Sequence, residues 1–432
     1  MHDQEITSMA DAANAGLINR TFDRARLAAL ADWLAVGVAV TLPWSTTATE
    51  IFIVLWLLAL LPTLTLADLR REFSTAAGGL PALLWLLGVL GMLWADASWS
   101  DRIWGLGGFH KLLVIPLLLA HFRRSERGMA AVYGFLVSCT VLLILSWSLK
   151  IIWELRGLEG FYIRDKFPGI PIHDYIAQSA EFMICAFGLL AVALSMLQAR
   201  RLALAAALTA LAALFLANIF YISPGRSGLV VLPVLIVLFG IRSFGWKGLL
   251  AALLAGAVIA ALAWSMSPFL RARVSTSFQE VQAYRSDNAA TSAGMRLEFW
   301  KKSLAFVAQA PILGNGTGST RPLFQRAAQG ERGAGGVASD NPHNQYLAVA
   351  VQLGLVGLAV MLAMWVAHLA LFRGSGLVPW VGLVVVLQNV IASAFNSHLF
   401  DFFHGWLYAF GVGVLGGIVL HQRSKDAAGR NA

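Results

Sequence analysis

Charge is what this chain has least of. Asp, Glu, Lys and Arg make up 13% of its 432 residues, against roughly 25% in a soluble globular domain, which excludes a molecule covered by water on every side. Cysteine is nearly absent. Cys139 and Cys185 are the only two and both fall inside apolar runs, so they read as packed thiols and argue against a disulfide framework or a metal pair. The loops assigned below to the outer face carry no Asp-x-Asp or Glu-x-Asp pair and no His/Cys cluster with metal-ligand spacing. Their absence argues against a diphosphate clamped by a divalent metal, so no metal or other cofactor is expected. No Gly-x-Ser-x-Gly elbow is present either, which removes one route to a serine nucleophile.

Long apolar runs are what it has most of. Hydrophobic residues make up 58% of the chain, and about twelve runs, from Leu27–Trp44 to His404–His421, approach or reach the length of a membrane crossing. A helix needs about 17 to 25 such residues to span a ~30 Å hydrocarbon core. His110–Phe122 and Gly228–Ile241 are short and need an upright crossing or a thinned bilayer. The expected fold is an all-α polytopic membrane protein of about twelve transmembrane helices with one large loop on the outer face. The first run follows Arg20, Arg24 and Arg26 and reads as a retained signal-anchor rather than a cleavable signal peptide.

The net charge of +9 does not read as nucleic-acid binding, because of where the charge lies. Sixteen of the 32 basic residues fall in one alternate set of short loops and the tail, among them Arg70/Arg71, Arg123/Arg124/Arg127, Arg200/Arg201 and Arg423/Lys425/Arg430. That bias places both termini in the cytoplasm. Five segments result: a cytoplasmic segment 1–26, transmembrane helices 27–266, an outer-face loop 267–343, transmembrane helices 344–421 and a cytoplasmic tail 422–432.

Within the loop, Ser267-Pro268 is a helix-start signal. Leu270, Val274, Phe278 and Val281 then form one apolar stripe, and Leu297, Trp300, Leu304 and Val307 form another. Both read as amphipathic helices lying on the bilayer or on the bundle. The glycines of Gly314–Gly318 read as a turn and Gly330–Gly336 as a flexible stretch, so the whole loop has the make-up of a lid.

The run Asp340-Asn341-Pro342-His343-Asn344 closes this loop where a hydrophobic helix begins. With Asp340 or Asn341 as the cap and Pro342 in the first turn, His343 would sit at the positive end of the helix dipole, which favours the neutral imidazole and a base near pH 7. An interfacial histidine bonded to a neighbour is the bland alternative. Arg226 is the only charge in the turn Tyr221–Gly228 and could grip a phosphate in bidentate fashion, or anchor a helix end by snorkelling. Arg296 opens the second amphipathic helix, where a salt bridge to Glu298 or contact with lipid headgroups is the bland reading. Asn344, Asp401, Asp174, Arg164 and Lys166 share that side of the membrane as candidate substrate-binding groups, and either carboxylate could equally be a helix cap.

His343-Asn344, nine residues, then Gly354-Leu355-Val356-Gly357 resembles the histidine signature of bacterial O-antigen ligases, although Leu358-Ala359 stands where a Thr-Thr sometimes follows. Arg226 and Arg296 sit where that family places two essential arginines. The resemblance implies glycosyl transfer without nucleotide or metal: polysaccharide moves from undecaprenyl diphosphate to a sugar hydroxyl of lipid A-core at the inner membrane's periplasmic face. By the same resemblance the outer-face loop 267–343 would be a periplasmic loop. His343 would be the base, and Arg226 and Arg296 would steady the leaving diphosphate. The signature is partly shared with O-antigen polymerases and protein O-oligosaccharyltransferases, which remain alternatives. A transporter or flippase is a further one, though Asp32, Lys150 and Glu181 are the only ionisable residues standing out in the runs and all lie near an interface.

Overall fold

The computed structural model describes residues 23–156, 169–172, 174–222 and 225–431. Among them every regular element is helical. In chain order these are α1 (Arg24–Thr41), α2 (Thr46–Leu60), α3 (Leu66–Phe73), α4 (Ala76–Gly91), α5 (Trp99–Gly107), α6 (Val114–Arg124), α7 (Gly128–Arg156) and α8 (Tyr175–Gln198). There follow α9 (Leu202–Tyr221), α10 (Arg226–Met266), α11 (Pro268–Asp287), α12 (Ser292–Gln309), α13 (Thr320–Ala328), α14 (Gln345–Leu371), α15 (Leu377–Ala392) and α16 (Phe402–Asn431).

Seven of these are long and apolar enough to cross a membrane, or up to nine if two bent pairs each count as one span. The pairs are α3 with α4, bent by 86°, and α5 with the stretch His110–Arg124, bent by 45°. The protein is therefore an all-helical, multi-pass membrane protein. Short polar residues decide where the helices start. Asp23, Ser45, Thr75, Ser98, Ser267 and Thr291 each place a side-chain oxygen on a backbone N–H of the first turn, while Thr65 and Asp68 cap α3 reciprocally.

The basic turns gather at one end of the bundle. Arg71 and Arg123 both reach the fully buried Glu72, Arg124 reaches Asp68, and Arg423 donates to the carbonyls of Leu371 and Arg373. At the same end Trp56 donates to His121 Nδ1 at 3.0 Å, so His121 Nε2–H donates to Asp32, which also accepts from Ser125. These bonds tie α1, α2, α6 and the turn after α6 together without exposing charge to lipid.

α10 is two helices rather than one. At Gly245 the backbone leaves the helical region (φ 61°, ψ −147°). Gly240 and Gly248 then approach so closely that a Cβ on Gly240 would lie 2.5 Å from the Gly248 carbonyl and 2.5 Å from the Ala252 Cβ. Such contacts require the chain to turn back on itself, so residues 226–244 and 246–266 pack antiparallel.

Both amphipathic helices form, as α11 and α12, but α12 buries a different face from the expected stripe. Phe299 and Phe306 pack edge-on against Phe324 of α13, whereas Leu304 is 60% exposed. Phe278 of α11 is likewise exposed. Gly333–Gly336 is a 3-10 turn rather than a loose linker: Lys302 of α12 donates to the carbonyls of Ala327 and Gly335, and Ala334 N–H donates to the Asn288 carbonyl. The flexible stretch expected from the glycines is pinned by these bonds.

Candidate functional site

The glycine-rich segment before α13 sets the site's framework. Residues 311–316 run alongside 351–356 of α14: Asn315 and Gly316 N–H donate to the carbonyls of Val351 and Gln352, while Leu355 and Val356 N–H donate to those of Pro311 and Ile312. These four bonds replace helical ones, and α14 breaks at Gly354, with φ 62° and ψ −161°. A side chain there would meet the Ile312 carbonyl at 2.2 Å, so only glycine fits. The first glycine of the Gly-x-x-Gly motif thus receives the loop, and Gly314–Gly318 is more than a turn. Thr317 adds bonds to the Gly88 and Gly91 carbonyls, which locks the loop onto α4 as well.

His343 lies just outside the helix it was expected to enter. Asn344 is the N-cap of α14, its Oδ1 accepting from Leu347 N–H at 3.2 Å and its amide donating to the Ala394 carbonyl, so both polar ends of Asn344 are engaged with backbone. Neither Asp340 nor Asn341 caps α14, and Pro342 precedes it. His343 has φ 52°, a left-handed conformation uncommon outside glycine and typical of functional sites. Asn341 Oδ1 holds this turn by accepting from His343 N–H at 2.8 Å and from Ser397 Oγ at 2.6 Å.

The imidazole itself is oriented from another element. His343 Nδ1 lies 3.0 Å from Asn396 Oδ1. A carbonyl oxygen can only accept, so Nδ1 carries the hydrogen and Nε2 keeps its lone pair in the neutral ring. Phe299 of α12 stacks on the ring, centroids 6.1 Å apart and planes 22° off parallel. Burial pushes the proton affinity of His343 below the ordinary histidine value, the Asn396 bond works against that, and the Arg296 guanidinium pushes it down further. The lowered proton affinity expected from the helix dipole is present, but its causes are desolvation and Arg296.

Arg296 is half-buried on the same face of α12 as Phe299, and its charge acts on both His343 and His398. Arg226 opens α10, and its side chain lies outside the described residues. The next residues, Ser227 and Gly228, line a small cavity with His398, His404, Gln388 and Asn389. Its solvent-accessible space is about 30 Å³, room for one or two waters. Both ring nitrogens of His398, Nε2 of His404, Oε1 of Gln388 and Oδ1 of Asn389 are buried there with no partner among the described residues. The start of α10 and the His343–Arg296 pair thus flank one segment, residues 396–404.

Asp401 accepts from His404 through both the backbone N–H and Nδ1, at 3.1 and 2.9 Å. Burial raises its proton affinity, and His404 with the nearby Lys111 ammonium more than reverses that, so the carboxyl stays ionised. Lys111 Nζ, buried, donates to the carbonyls of Phe400 and Asp401. Asp174 caps α8, accepting from Ile176 and Ala177 N–H at 2.7 and 2.8 Å, and is not part of this group. Arg164 and Lys166 lie outside the described residues. Among the described residues no group of three His, Cys, Asp or Glu side chains is placed to hold a metal ion.

Asn396, His398, His404 and Lys111 were not singled out from the sequence. The His-x2-Asp-x2-His spacing of 398, 401 and 404 is visible there, but nothing in it says that Asn396 orients a histidine 53 residues earlier.

The described residues thus combine an oriented imidazole with the nearby charge of Arg296 in an all-helical membrane protein. Residues 211–362 match the O-antigen ligase family. The matched stretch includes Arg226, Arg296, His343 and both glycines of the signature, so the likeness to the O-antigen ligase family falls on those residues. A Haemophilus influenzae protein described as uncharacterized is 29% identical over 147 residues, 33% of this chain. The chain spans about 37% of the length of that curated relative.

Proposed function

We propose that this protein transfers O-antigen polysaccharide from undecaprenyl diphosphate to a sugar hydroxyl of lipid A-core at the periplasmic face of the inner membrane. The observation that carries the reading is the Nδ1–H of His343 held by Asn396 Oδ1 at 3.0 Å, because it leaves Nε2 as a proton acceptor beside Arg296. In the reaction the acceptor hydroxyl gives its proton to Nε2 as its oxygen attacks the anomeric carbon. The bond from that carbon to the diphosphate oxygen breaks, with inversion, and undecaprenyl diphosphate leaves. Arg226 and Arg296 neutralise the charge it gains, work otherwise done by a divalent ion, and such fixed donors are worth about 3 to 4 kcal/mol in a poorly hydrated site. A positioned general base contributes about 10² to 10⁴-fold.

The topology proposed with it has about twelve crossings. Three features support that number beyond the helices that qualify by length and apolarity. α1 carries Arg24, Arg26 and Asp32, α15 is only 16 residues long, and α10 folds back at Gly245. In this arrangement residues 267–343 form one periplasmic segment, while residues 1–26 and 422–432 are cytoplasmic.

The experiment is in vitro transfer from purified lipid-linked O-polysaccharide to lipid A-core in excess chelator. Wild-type protein gives capped lipopolysaccharide and His343→Ala does not. Equal capping by both, or loss of wild-type activity on chelation, would refute the mechanism.

A further inference from the structure

A second cavity borders the turn before His343 and part of segment 396–404. It offers about 420 Å³ of solvent-accessible space and is walled by Trp104 and the glycines of α5, by Gly318, Thr320 and Arg321, by Asp340–Pro342 and by Asn396, Ser397 and Asp401. That size lies in the range of small-molecule sites, roughly 300 to 1,000 Å³. The chemistry of its wall is specific. The Trp104 indole is 61% exposed at the rim, an apolar face with no protein covering it. Asn341 and Asn396 have their oxygens engaged by His343 and Ser397, which leaves their NH2 groups as donors. Thr320 Oγ1 is buried in the wall with no partner among the described residues, its residue only 5% exposed. A flat aromatic surface ringed by amide, hydroxyl, carboxylate and guanidinium groups is the surface that a sugar, apolar on its ring faces and hydroxylated at its edge, can satisfy.

Charge decides which sugar. Two carboxylates, Asp340 and Asp401, and one guanidinium, Arg321, line this cavity, so a diphosphate entering it would face a wall with an excess of negative charge. The Arg296 charge, which acts on His398, and the start of α10, whose small cavity takes His398 and His404, involve other residues of segment 396–404. The Arg296 cation suits the anionic donor head and the carboxylate-lined cavity an uncharged, hydroxyl-rich partner.

We infer that the cavity bounded by Trp104, Thr320, Arg321, Asp340 and Ser397 is the acceptor-saccharide subsite, which presents a sugar hydroxyl to His343. The inference rests on the transferase reading and adds to it a separate place for each substrate. Thr320 Oγ1 gains a hydroxyl partner on binding, and Trp104 is covered by the sugar ring.

Two measurements test it. In steady-state transfer, Trp104→Ala and Arg321→Ala each raise KM for the acceptor glycolipid about tenfold and leave KM for the lipid-linked donor within twofold. An unchanged acceptor KM, or a rise confined to the donor KM, would assign the cavity elsewhere and overturn the inference. Calorimetric titration of the delipidated core oligosaccharide into His343→Ala protein is independent of turnover. Saturable binding that Trp104→Ala weakens about tenfold supports the subsite, and absence of binding overturns it. Binding without transfer by the wild type would instead refute the reaction and leave the subsite standing.

Discussion

The bond between His343 and Asn396 gives the sharpest test of how the base works. Asn396→Ala removes the acceptor that holds Nδ1–H at 3.0 Å. A neutral hydrogen bond is worth about 0.5 to 1.5 kcal/mol net, or roughly 2- to 12-fold in rate. The ring then also loses the partner that selects its tautomer, so the expected fall in kcat is about 10- to 100-fold, short of the ~10² to 10⁴-fold that a general base supplies in all. The pH profile adds a signed readout. His343 works deprotonated, so its rate falls as pH drops through its pKa. That pKa lies below the ordinary 6.5 because the ring is buried and Arg296 is near, with the Asn396 bond opposing. Without that bond the imidazolium is less stable, and the acid limb of kcat/KM moves to lower pH. Asn396→Asp puts a carboxylate against the same nitrogen, stabilises the imidazolium and moves the limb to higher pH. Stopped assays of capped lipopolysaccharide between pH 4.5 and 8 would show both shifts. Asn396→Ala within twofold of wild type, or the two limbs moving in the same direction, would refute the assignment of Nε2 as the base.

Two further outcomes are expected. Arg296→Ala lowers kcat/KM about 10²-fold, the cost of one fixed charge donor, and moves the acid limb to higher pH because the cation that depresses His343 is gone; the same pH series reads both. Gly354→Ala forces a left-handed non-glycine and puts its Cβ 2.2 Å from the Ile312 carbonyl, which costs about 2 to 4 kcal/mol of stability; thermal unfolding in detergent should move down by several degrees, and an unshifted transition would show that the loop does not lock onto α14.

What the sequence determined by itself was the solvent and the parts. An apolar content of 58% with 13% charge commits the chain to lipid, because backbone polar groups in hydrocarbon can be satisfied locally only in helices. The proposed sides of the bundle rest on where arginine sits. His343 stood out because an apolar run begins there, Arg226 because it is the only charge in its turn, Arg296 because the family resemblance places an arginine there, and the signature glycines because they recur at a fixed spacing. Tertiary structure decided how these parts act on one another. Which residue caps α14, which face of α12 is buried and why Gly354 must be glycine all depend on groups far away in the chain: Ala394, Phe324 and Ile312. The tautomer of His343 is set by Asn396 and its low proton affinity by burial and Arg296. Local pattern reports the solvent each residue faces, whereas hydrogen-bond partners and electric fields come from neighbours that meet only when the bundle closes.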